Sequence, residues 1–145
     1  MKKLITTLLA LCLTTTASFS DVKLGIIIGF TGPIESLTPD MAAGAELAID
    51  EVNKSGSFSM GNVSGIRADS TCIDSSAATA AAERLITSDK VNGIMGADCS
   101  GVTTAILQQV AMANGMVMVS PSATSPALST VEDNNLFFRL SLIHI

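Results

Sequence analysis

Two short runs of small residues contain the side chains best suited to hydrogen-bond a small polar ligand. Residues 96–100 read Gly-Ala-Asp-Cys-Ser, and residues 120–124 read Ser-Pro-Ser-Ala-Thr. Each run closes a stretch typical of a buried strand and leaves hydroxyl and backbone groups free. Because small ligands bind beyond the carboxyl ends of the strands in an open parallel α/β sheet, we expect both runs to lie in one crevice.

Each run also has a purely structural interpretation. Asp98 or Ser100 could be the N-cap of the following helix, where a side-chain oxygen accepts a hydrogen bond from an unpaired amide. The same helix amino terminus could hold a ligand carboxylate, so the two roles are compatible. Ser122 and Thr124 could be ordinary turn residues beside a proline. The binding hypothesis depends on the two runs occurring together.

Side chains that support catalysis or metal binding are scarce. His144 is the only histidine, so a serine nucleophile lacks a base, and no cluster of histidine, cysteine and carboxylate side chains offers a metal site. Asp69 and Asp74 flank Cys72, and we interpret them as solvated acids at a rim. The glycines near the first strand lack the spacing of a dinucleotide-binding loop. We expect neither an enzyme nor a bound cofactor.

The amino terminus has the pattern of a secretory signal peptide. A basic start, Met-Lys-Lys, precedes the apolar residues 4–13, and small residues lead to Ser20. The apolar stretch is short of the roughly 20 residues that a membrane-spanning helix needs. Cys12 follows a leucine, not the small residue that a lipoprotein signal requires. We predict that residues 1–20 are removed on export and that no stable membrane insertion remains.

The exported chain would be acidic and would fold in an oxidising compartment. Removing the two lysines of the leader from eight basic residues leaves six against thirteen acidic ones, a net charge of −7. This charge excludes the basic surface typical of a nucleic-acid-binding protein. Cys72 and Cys99 are candidates for a disulfide in such a compartment, and two buried free thiols are the alternative.

The chain around the two runs alternates between strand and helix patterns. The expected strands, rich in β-branched and other apolar residues, span residues 22–30, 63–68, 91–97 and 115–119. Helices are expected to begin near Thr38, as an N-cap before Pro39, near Ser75 or Ser76 as N-cap, and at Gly101. Strands that alternate with helices imply parallel β-α-β units with right-handed crossovers.

Apolar residues recur at helical spacing in each predicted helix and define its buried side. In the first helix they are Met41, Ala45, Ala48, Ile49 and Val52. In the second they are Ala78, Ala81, Ala82, Leu85 and Ile86, and in the third the buried side comprises Val102, Ala105, Ile106, Gln109, Val110 and Ala113.

In this order, the elements resemble the periplasmic binding proteins of the leucine/isoleucine/valine type, which serve ABC transporters for branched-chain amino acids and related compounds. The resemblance covers residues 22–139 and depends on the first strand followed by Thr-Gly-Pro at residues 31–33, the helix at residues 41–53 and the two runs. It implies an α/β three-layer sandwich, with residues 21–140 as a partial amino-terminal lobe of a type I periplasmic binding protein. It also implies a periplasmic protein that captures a small amino acid or amide and delivers it to an inner-membrane ABC permease.

The resemblance implies roles for individual residues. In the family, the position matching Ser100 binds the carboxylate of the amino acid through its hydroxyl and amide. The second run contributes a backbone carbonyl, an amide and a hydroxyl that hold the ammonium and carboxylate. The implied ligand-binding residues are Ser100, Ser122, Ala123 and Thr124. The cysteines that match Cys72 and Cys99 form a disulfide.

Three features depart from the family pattern. Family members carry an aromatic residue near Leu37, whereas this chain has no Tyr or Trp. They are more than twice as long, with a second lobe that closes on the ligand. Residues 141–145 form an atypical tail, which we interpret as a truncation or frameshift.

A sensory or regulatory receptor domain of the same fold is the first alternative function, and an exported α/β enzyme is the second.

Overall fold

Five parallel strands form one sheet in the computed structural model, which describes residues 21–140. The strands are β1 (Val22–Ile28), β2 (Val63–Asp69), β3 (Gly93–Gly96), β4 (Met118–Ser120) and β5 (Phe137–Arg139). They lie in the order β2-β1-β3-β4-β5, and each neighbouring pair is parallel. The predicted α/β class is confirmed, while β5 has no counterpart among the predicted strands. The predicted leader, Cys12, His144 and the tail at residues 141–145 lie outside the described residues.

Helices connect the strands. The helix α1 spans Thr38–Ser55 and α2 spans Ser75–Thr87, while α3 runs from Ser100–Ile106 through a π-helical segment, Leu107–Ala111, to Met112–Asn114. A short 3-10 turn, Pro126–Ser129, precedes β5. Between residues 21 and 140, no helix combines the length and the apolar character needed to cross a membrane.

The strand β1 lies between β2 and β3, and the side chains of its second half are buried on both faces of the sheet. Ile27 belongs to the main core with Leu85 of α2 and Ile106 of α3. Ile26 and Ile28 face the other way and form a second cluster with residues of α1. Burying each isoleucine contributes about 1.5 to 3 kcal/mol. Helices therefore cover both faces of the sheet, which is the predicted three-layer arrangement.

The π-helical segment changes the buried side of α3. Leu107, Val110 and Ala111 are buried, whereas Gln109 and Ala113, both expected on the buried side, are exposed. A π turn is closed by a hydrogen bond to the fifth residue instead of the fourth. The side chains that follow are therefore rotated away from the positions that a regular 3.6-residue repeat assigns to them.

The predicted N-caps of α1 and α2 are wrong. Thr38 lies inside α1, and its fully buried hydroxyl donates to the Gly29 carbonyl at 3.0 Å. This bond fastens the start of α1 to the chain that leaves β1.

The cap of α2 is Asp74 and neither of the predicted serines. The Asp74 carboxylate accepts from the backbone N–H groups of Ser76 at 2.9 Å and Ala77 at 3.0 Å. A negative charge there also complements the helix dipole.

The strands β3 and β4 begin later than predicted. The first residues of each predicted strand instead form the end of the preceding helix. The Val91 N–H donates to the Leu85 carbonyl at 3.1 Å and so closes the end of α2. Gly115 adopts a left-handed conformation with a φ of 62°, and the Met116 N–H donates to the Ala111 carbonyl at 2.9 Å. These residues terminate α3 as a left-handed C-cap does.

The face of the sheet under α1 is only partly covered. Ala48 and Val52, expected on the buried side of α1, are exposed. An open apolar groove of about 470 Å³ lies between this helix and the sheet. Its lining includes Val22 and Val63, which begin β1 and β2. The groove therefore extends to the amino ends of the strands, away from the two polar runs.

Candidate functional site

The carboxyl ends of β3 and β4 bring the two runs of small residues into contact. Ser100 Oγ accepts hydrogen bonds from the backbone N–H groups of Thr124 and Ser125, both at 3.1 Å. Ser122 Oγ donates to the Asp98 carbonyl at 3.1 Å. Parallel strands end at a common edge, and ligands of such sheets bind at that edge. The residues singled out from the sequence thus lie together at one edge of the sheet.

The second run is folded into a fixed turn by its own hydroxyls. Ala123 is fully buried, and its N–H donates to Ser120 Oγ at 3.0 Å. The Ser120 hydroxyl in turn donates to the Ala97 carbonyl. Thr124 is exposed, and its hydroxyl makes no hydrogen bond within residues 21–140. The turn therefore buries its alanine and presents its threonine to solvent.

Asp98 joins the ends of three strands and is not an N-cap. Its carboxylate is 3% exposed. Oδ2 accepts from the Gly29 N–H at 2.7 Å, while Oδ1 accepts from Ser70 Oγ at 3.1 Å and the Cys99 N–H at 2.9 Å. A buried carboxylate is costly unless hydrogen bonds replace its water, and three donors do so here. The residue before α3 is Cys99, which makes no side-chain cap, so the capping interpretation of Asp98 and Ser100 is wrong.

The glycine that directly follows β1, Gly29, is the sequence signal for this role of Asp98. A Cβ atom on Gly29 would lie 3.3 Å from both Asp98 Oδ2 and Cys72 Cβ. The absence of a side chain therefore lets the end of β1 approach the carboxylate and donate its N–H. An acid after one buried strand and a glycine after another together indicate such a contact, whereas the acid alone indicates only a helix cap.

A disulfide joins Cys72 to Cys99 at the same edge, with their Cα atoms 5.2 Å apart. Of the two alternatives that the residues left open, free thiols or a bridge, the structure has the bridge, as the family resemblance implies. It connects the loop after β2 to the residue before Ser100. The start of α3 is therefore fixed covalently as well as through Asp98.

Asp69 is a half-buried rim acid that hydrogen bonds hold in place. Its carboxylate accepts from Thr31 Oγ1 at 2.6 Å, from the Thr31 N–H at 3.3 Å and from the Thr71 N–H at 2.8 Å. Burial by itself raises the pKa of the Asp69 carboxyl, but the hydrogen bonds from Thr31 and Thr71 outweigh it, and the pKa lies below the ordinary value. Asp74, interpreted in the same way, is exposed as expected and in addition caps α2.

Replacing Asp69 with asparagine should weaken the fold slightly and reduce its sensitivity to acid. An amide can accept both N–H bonds through its oxygen and donate to the Thr31 hydroxyl through its nitrogen. We therefore expect Asp69→Asn to lose about 0.5 to 1 kcal/mol at pH 7, because a partly solvated charge is replaced by a neutral acceptor. Urea unfolding at a series of pH values measures this difference.

The pH dependence follows from the direction of the pKa. A folded-state pKa below the unfolded value means that the contribution of Asp69 is complete above the ordinary aspartate pKa of about 3.9 and is lost as pH falls through the lowered one. The stability gap between parent and Asp69→Asn should thus narrow below about pH 4. Asp50→Asn, on an exposed residue of α1, is the control. A gap that stays constant down to pH 3 would contradict the expectation.

The edge offers hydroxyl and peptide groups to a ligand. In the part of the chain that the structure describes, no group of three His, Cys, Asp or Glu side chains is placed to hold a metal ion. Leu37, where the resemblance implies an aromatic residue, is 63% exposed just before α1. Such an edge can hold the charged ends of a small solute by hydrogen bonds, and no histidine lies within residues 21–140 to act as a base.

Comparison with known proteins gives matches over nearly all of the described chain. Residues 21–141 match the family model described as periplasmic binding protein. Leu/Ile/Val-binding protein homolog 3 of Brucella melitensis is 30% identical over 121 residues, which are 83% of this chain and 32% of the relative. The leucine-, isoleucine-, valine-, threonine- and alanine-binding protein of Pseudomonas aeruginosa is 30% identical over 118 residues, 81% of this chain and 31% of that protein.

A solved structure gives the same result. The branched-chain amino acid transporter substrate-binding protein LivJ of Streptococcus pneumoniae, in complex with isoleucine, is 26% identical with a TM-score of 0.74, and the match covers 83% of this chain and 33% of that one. The chain spans about a third of the length of these relatives. Fold, family model and relatives agree with the resemblance seen in the sequence, and the chain belongs to the periplasmic binding protein family.

Proposed function

We propose that this chain belongs to the solute-binding component of an ABC transporter and captures a branched-chain amino acid or a related small amino acid or amide. In this proposal residues 21–140 are a partial amino-terminal lobe, and Ser100, Ser122, Ala123 and Thr124 are its contribution to the solute site. The proposal is supported by the relatives, one of which is named for leucine, isoleucine, valine, threonine and alanine and another of which holds isoleucine.

The hydrogen bonds of Ser100 are the observation that carries the proposal. A hydroxyl has two acceptor lone pairs and one proton. Both acceptor positions of Ser100 Oγ are taken by the N–H groups of Thr124 and Ser125. The Ser100 hydroxyl donates to no group within residues 21–140, so its proton is available to an acceptor on a solute. A carboxylate is the strongest acceptor that an amino acid offers.

The remaining groups suit the other atoms of an amino acid. Thr124 is exposed and its backbone N–H contacts Ser100 Oγ, and in this proposal its hydroxyl supplies a second donor for the carboxylate. The Ser122 carbonyl supplies an acceptor for the ammonium, and buried Ala123 holds the turn that carries both. The amino-terminal end of α3, at Ser100, adds the positive end of a helix dipole.

The proposal also specifies where the protein acts and with what partner. The leader, residues 1–20, directs export to the periplasm, where the loaded protein delivers its solute to an inner-membrane ABC permease. The expected net charge of −7 for the exported chain gives no reason to propose a nucleic-acid partner. The family binds solutes and does not transform them, so no turnover of the bound amino acid is expected.

Titration of the 145-residue chain with amino acids tests the proposal. Polar partners from one side leave the solute half solvated and its ammonium without a counter-ion. We therefore expect leucine, isoleucine or valine to bind with a Kd of about 1 mM or weaker, seen as NMR shifts of the Ser100 and Thr124 amides. NMR shifts confined to other residues would contradict the site, and so would the absence of shifts with every amino acid and small amide tested up to its solubility limit. Micromolar binding would show that one lobe is sufficient.

Single hydroxyl deletions test the assignment of residues. In a hybrid where residues 21–139 replace the matching segment of the Pseudomonas relative, Ser100→Ala and Thr124→Ala should each weaken leucine binding by about 1 to 3 kcal/mol. Ser64→Ala, which removes an exposed hydroxyl near the amino end of β2, is the matched control. Calorimetry that finds the same affinity in all three variants would remove Ser100 and Thr124 from the site.

A further inference from the structure

Arg139 reaches from the edge of the sheet to the turn that carries Thr124. It is the last residue of β5, beside the end of β4. Its Nη1 donates to the carbonyl oxygens of Ala123 at 3.2 Å and Ser125 at 2.8 Å, and its Nη2 donates to Ser129 Oγ at 2.6 Å. The planar guanidinium thus holds three acceptors at once, two of which flank Thr124.

The peptide group between Ala123 and Thr124 is held at both ends. Arg139 donates to its oxygen at 3.2 Å, and its N–H donates to Ser100 Oγ at 3.1 Å. The Ser100 hydroxyl donates to nothing in the described part of the chain, so its proton is available to a solute acceptor. Guanidinium, peptide group and hydroxyl therefore form a series of hydrogen bonds that all point the same way. Bonds in such a series polarise one another, so each makes the next donor stronger.

Arg139 pairs with no carboxylate in the part of the chain that the structure describes. None of the ion pairs within residues 21–140 includes it, and its three acceptors are two carbonyls and a hydroxyl. Its charge therefore polarises the Ala123–Thr124 peptide group without competition from an ion pair within residues 21–140. A carboxylate bound at Ser100 would lie at the far end of this series.

We propose that Arg139 is a positioning residue for solute binding. It fixes the Ala123–Thr124 peptide group and, through that group, strengthens the Ser100 hydroxyl as a donor to the solute carboxylate. The inference rests on the proposed function and extends it to a residue that touches no solute. Lysine cannot replace it fully, because a single ammonium does not reproduce the planar fork that meets two carbonyls and a hydroxyl.

The test compares Arg139→Gln and Arg139→Lys with Arg84→Gln in the 145-residue chain. Arg84 is a matched control, since it is an exposed arginine of α2 that pairs with Asp89 at 2.6 Å. The first measurement is the solvent exchange rate of the Thr124 amide proton, followed by NMR. We expect exchange about tenfold faster in Arg139→Gln, an intermediate rate in Arg139→Lys and the parent rate in Arg84→Gln.

The second measurement is leucine affinity in the same four proteins, taken from NMR titration. We expect Kd to rise about tenfold in Arg139→Gln and about threefold in Arg139→Lys, with no change in Arg84→Gln. Thermal unfolding midpoints are recorded in parallel. A general loss of stability would lower the midpoint and speed exchange at many amides. Loss of positioning alone would speed exchange mainly at the Thr124 and Ser125 amides and leave the midpoint nearly unchanged.

The outcomes separate this inference from the proposed function. An unchanged Thr124 exchange rate in Arg139→Gln overturns the inference, and so does a parent-like leucine affinity in that variant. If Arg139→Gln does not fold, Arg139→Lys decides by the same two measurements. A parent chain that binds no amino acid, while Arg139→Gln still releases the Thr124 amide, overturns the proposed function and supports only the fixing of the Ala123–Thr124 peptide group by Arg139.

Discussion

Removing the disulfide between Cys72 and Cys99 should lower the free energy of unfolding by about 3 to 4 kcal/mol. The bridge closes a loop with a sequence separation of 27 residues, and a loop of that size restricts the unfolded chain by about this amount in the chain-entropy model. We expect the double variant Cys72→Ala/Cys99→Ala to melt about 10 °C or more below the parent. Urea unfolding of both proteins under oxidising conditions gives the free-energy difference.

Chemical reduction provides the control for this prediction. A thiol reductant should lower the stability of the parent to that of the double variant and leave the double variant itself unchanged. Mass spectrometry of non-reduced peptides from protein recovered after export should show the Cys72–Cys99 pair. Free thiols in that protein, or parent and variant with equal unfolding midpoints, would show that the bridge does not stabilise the fold.

Asp98→Asn should lower the free energy of unfolding by about 2 to 4 kcal/mol. The two carboxylate oxygens face different backbone donors, the Gly29 N–H at 2.7 Å and the Cys99 N–H at 2.9 Å. An asparagine places its NH₂ group against one of these N–H groups whichever way the amide is turned. A buried donor then faces another donor, and the charge-assisted bond at that position is lost.

Asp69→Asn is the matched comparison for Asp98→Asn, because it makes the same chemical change at the same edge of the sheet. At position 69 one of the partners is the Thr31 hydroxyl, which can accept as well as donate, so the amide is accommodated. The two variants should therefore differ by about 1 kcal/mol or more in urea unfolding at pH 7. Equal losses in the two variants would mean that the Asp98 site relaxes to accept an amide.

Sequence patterns were sufficient where an element is defined by its own periodicity. The buried side of α2 was predicted at Ala78, Ala82 and Leu85, and all three are fully buried. The apolar run of β1 likewise predicted a strand covered on both faces. The two runs of small residues were placed at one edge of the sheet because alternating strands and helices imply parallel strands. These inferences need only local spacing and the rules of parallel sheets.

The features that the sequence patterns did not predict mostly depend on contacts between residues far apart in the sequence. Asp98 and Thr38 are both good local caps, but each found a partner on the chain after β1, and Asp98 and Gly29 are 69 positions apart. The strand β5 has only three residues, too few for a strand pattern to be recognised. Arg139 lies outside both runs, and nothing in its neighbours indicates that its side chain folds back onto the turn.

The hydrogen bonds that hold the Ala123–Thr124 peptide group use backbone atoms and therefore tolerate changes of side chain. Every residue brings the same backbone carbonyl and nearly always the same N–H, so substitutions at Ala123 that keep its burial leave the hydrogen-bonding groups in place. Exposed residues of the loops after β1 and β2, such as Leu37 and Ile73, can vary without touching this unit. In the proposed solute site, evolution can therefore alter which solute side chain is preferred, while the backbone groups proposed to meet the carboxylate stay unchanged.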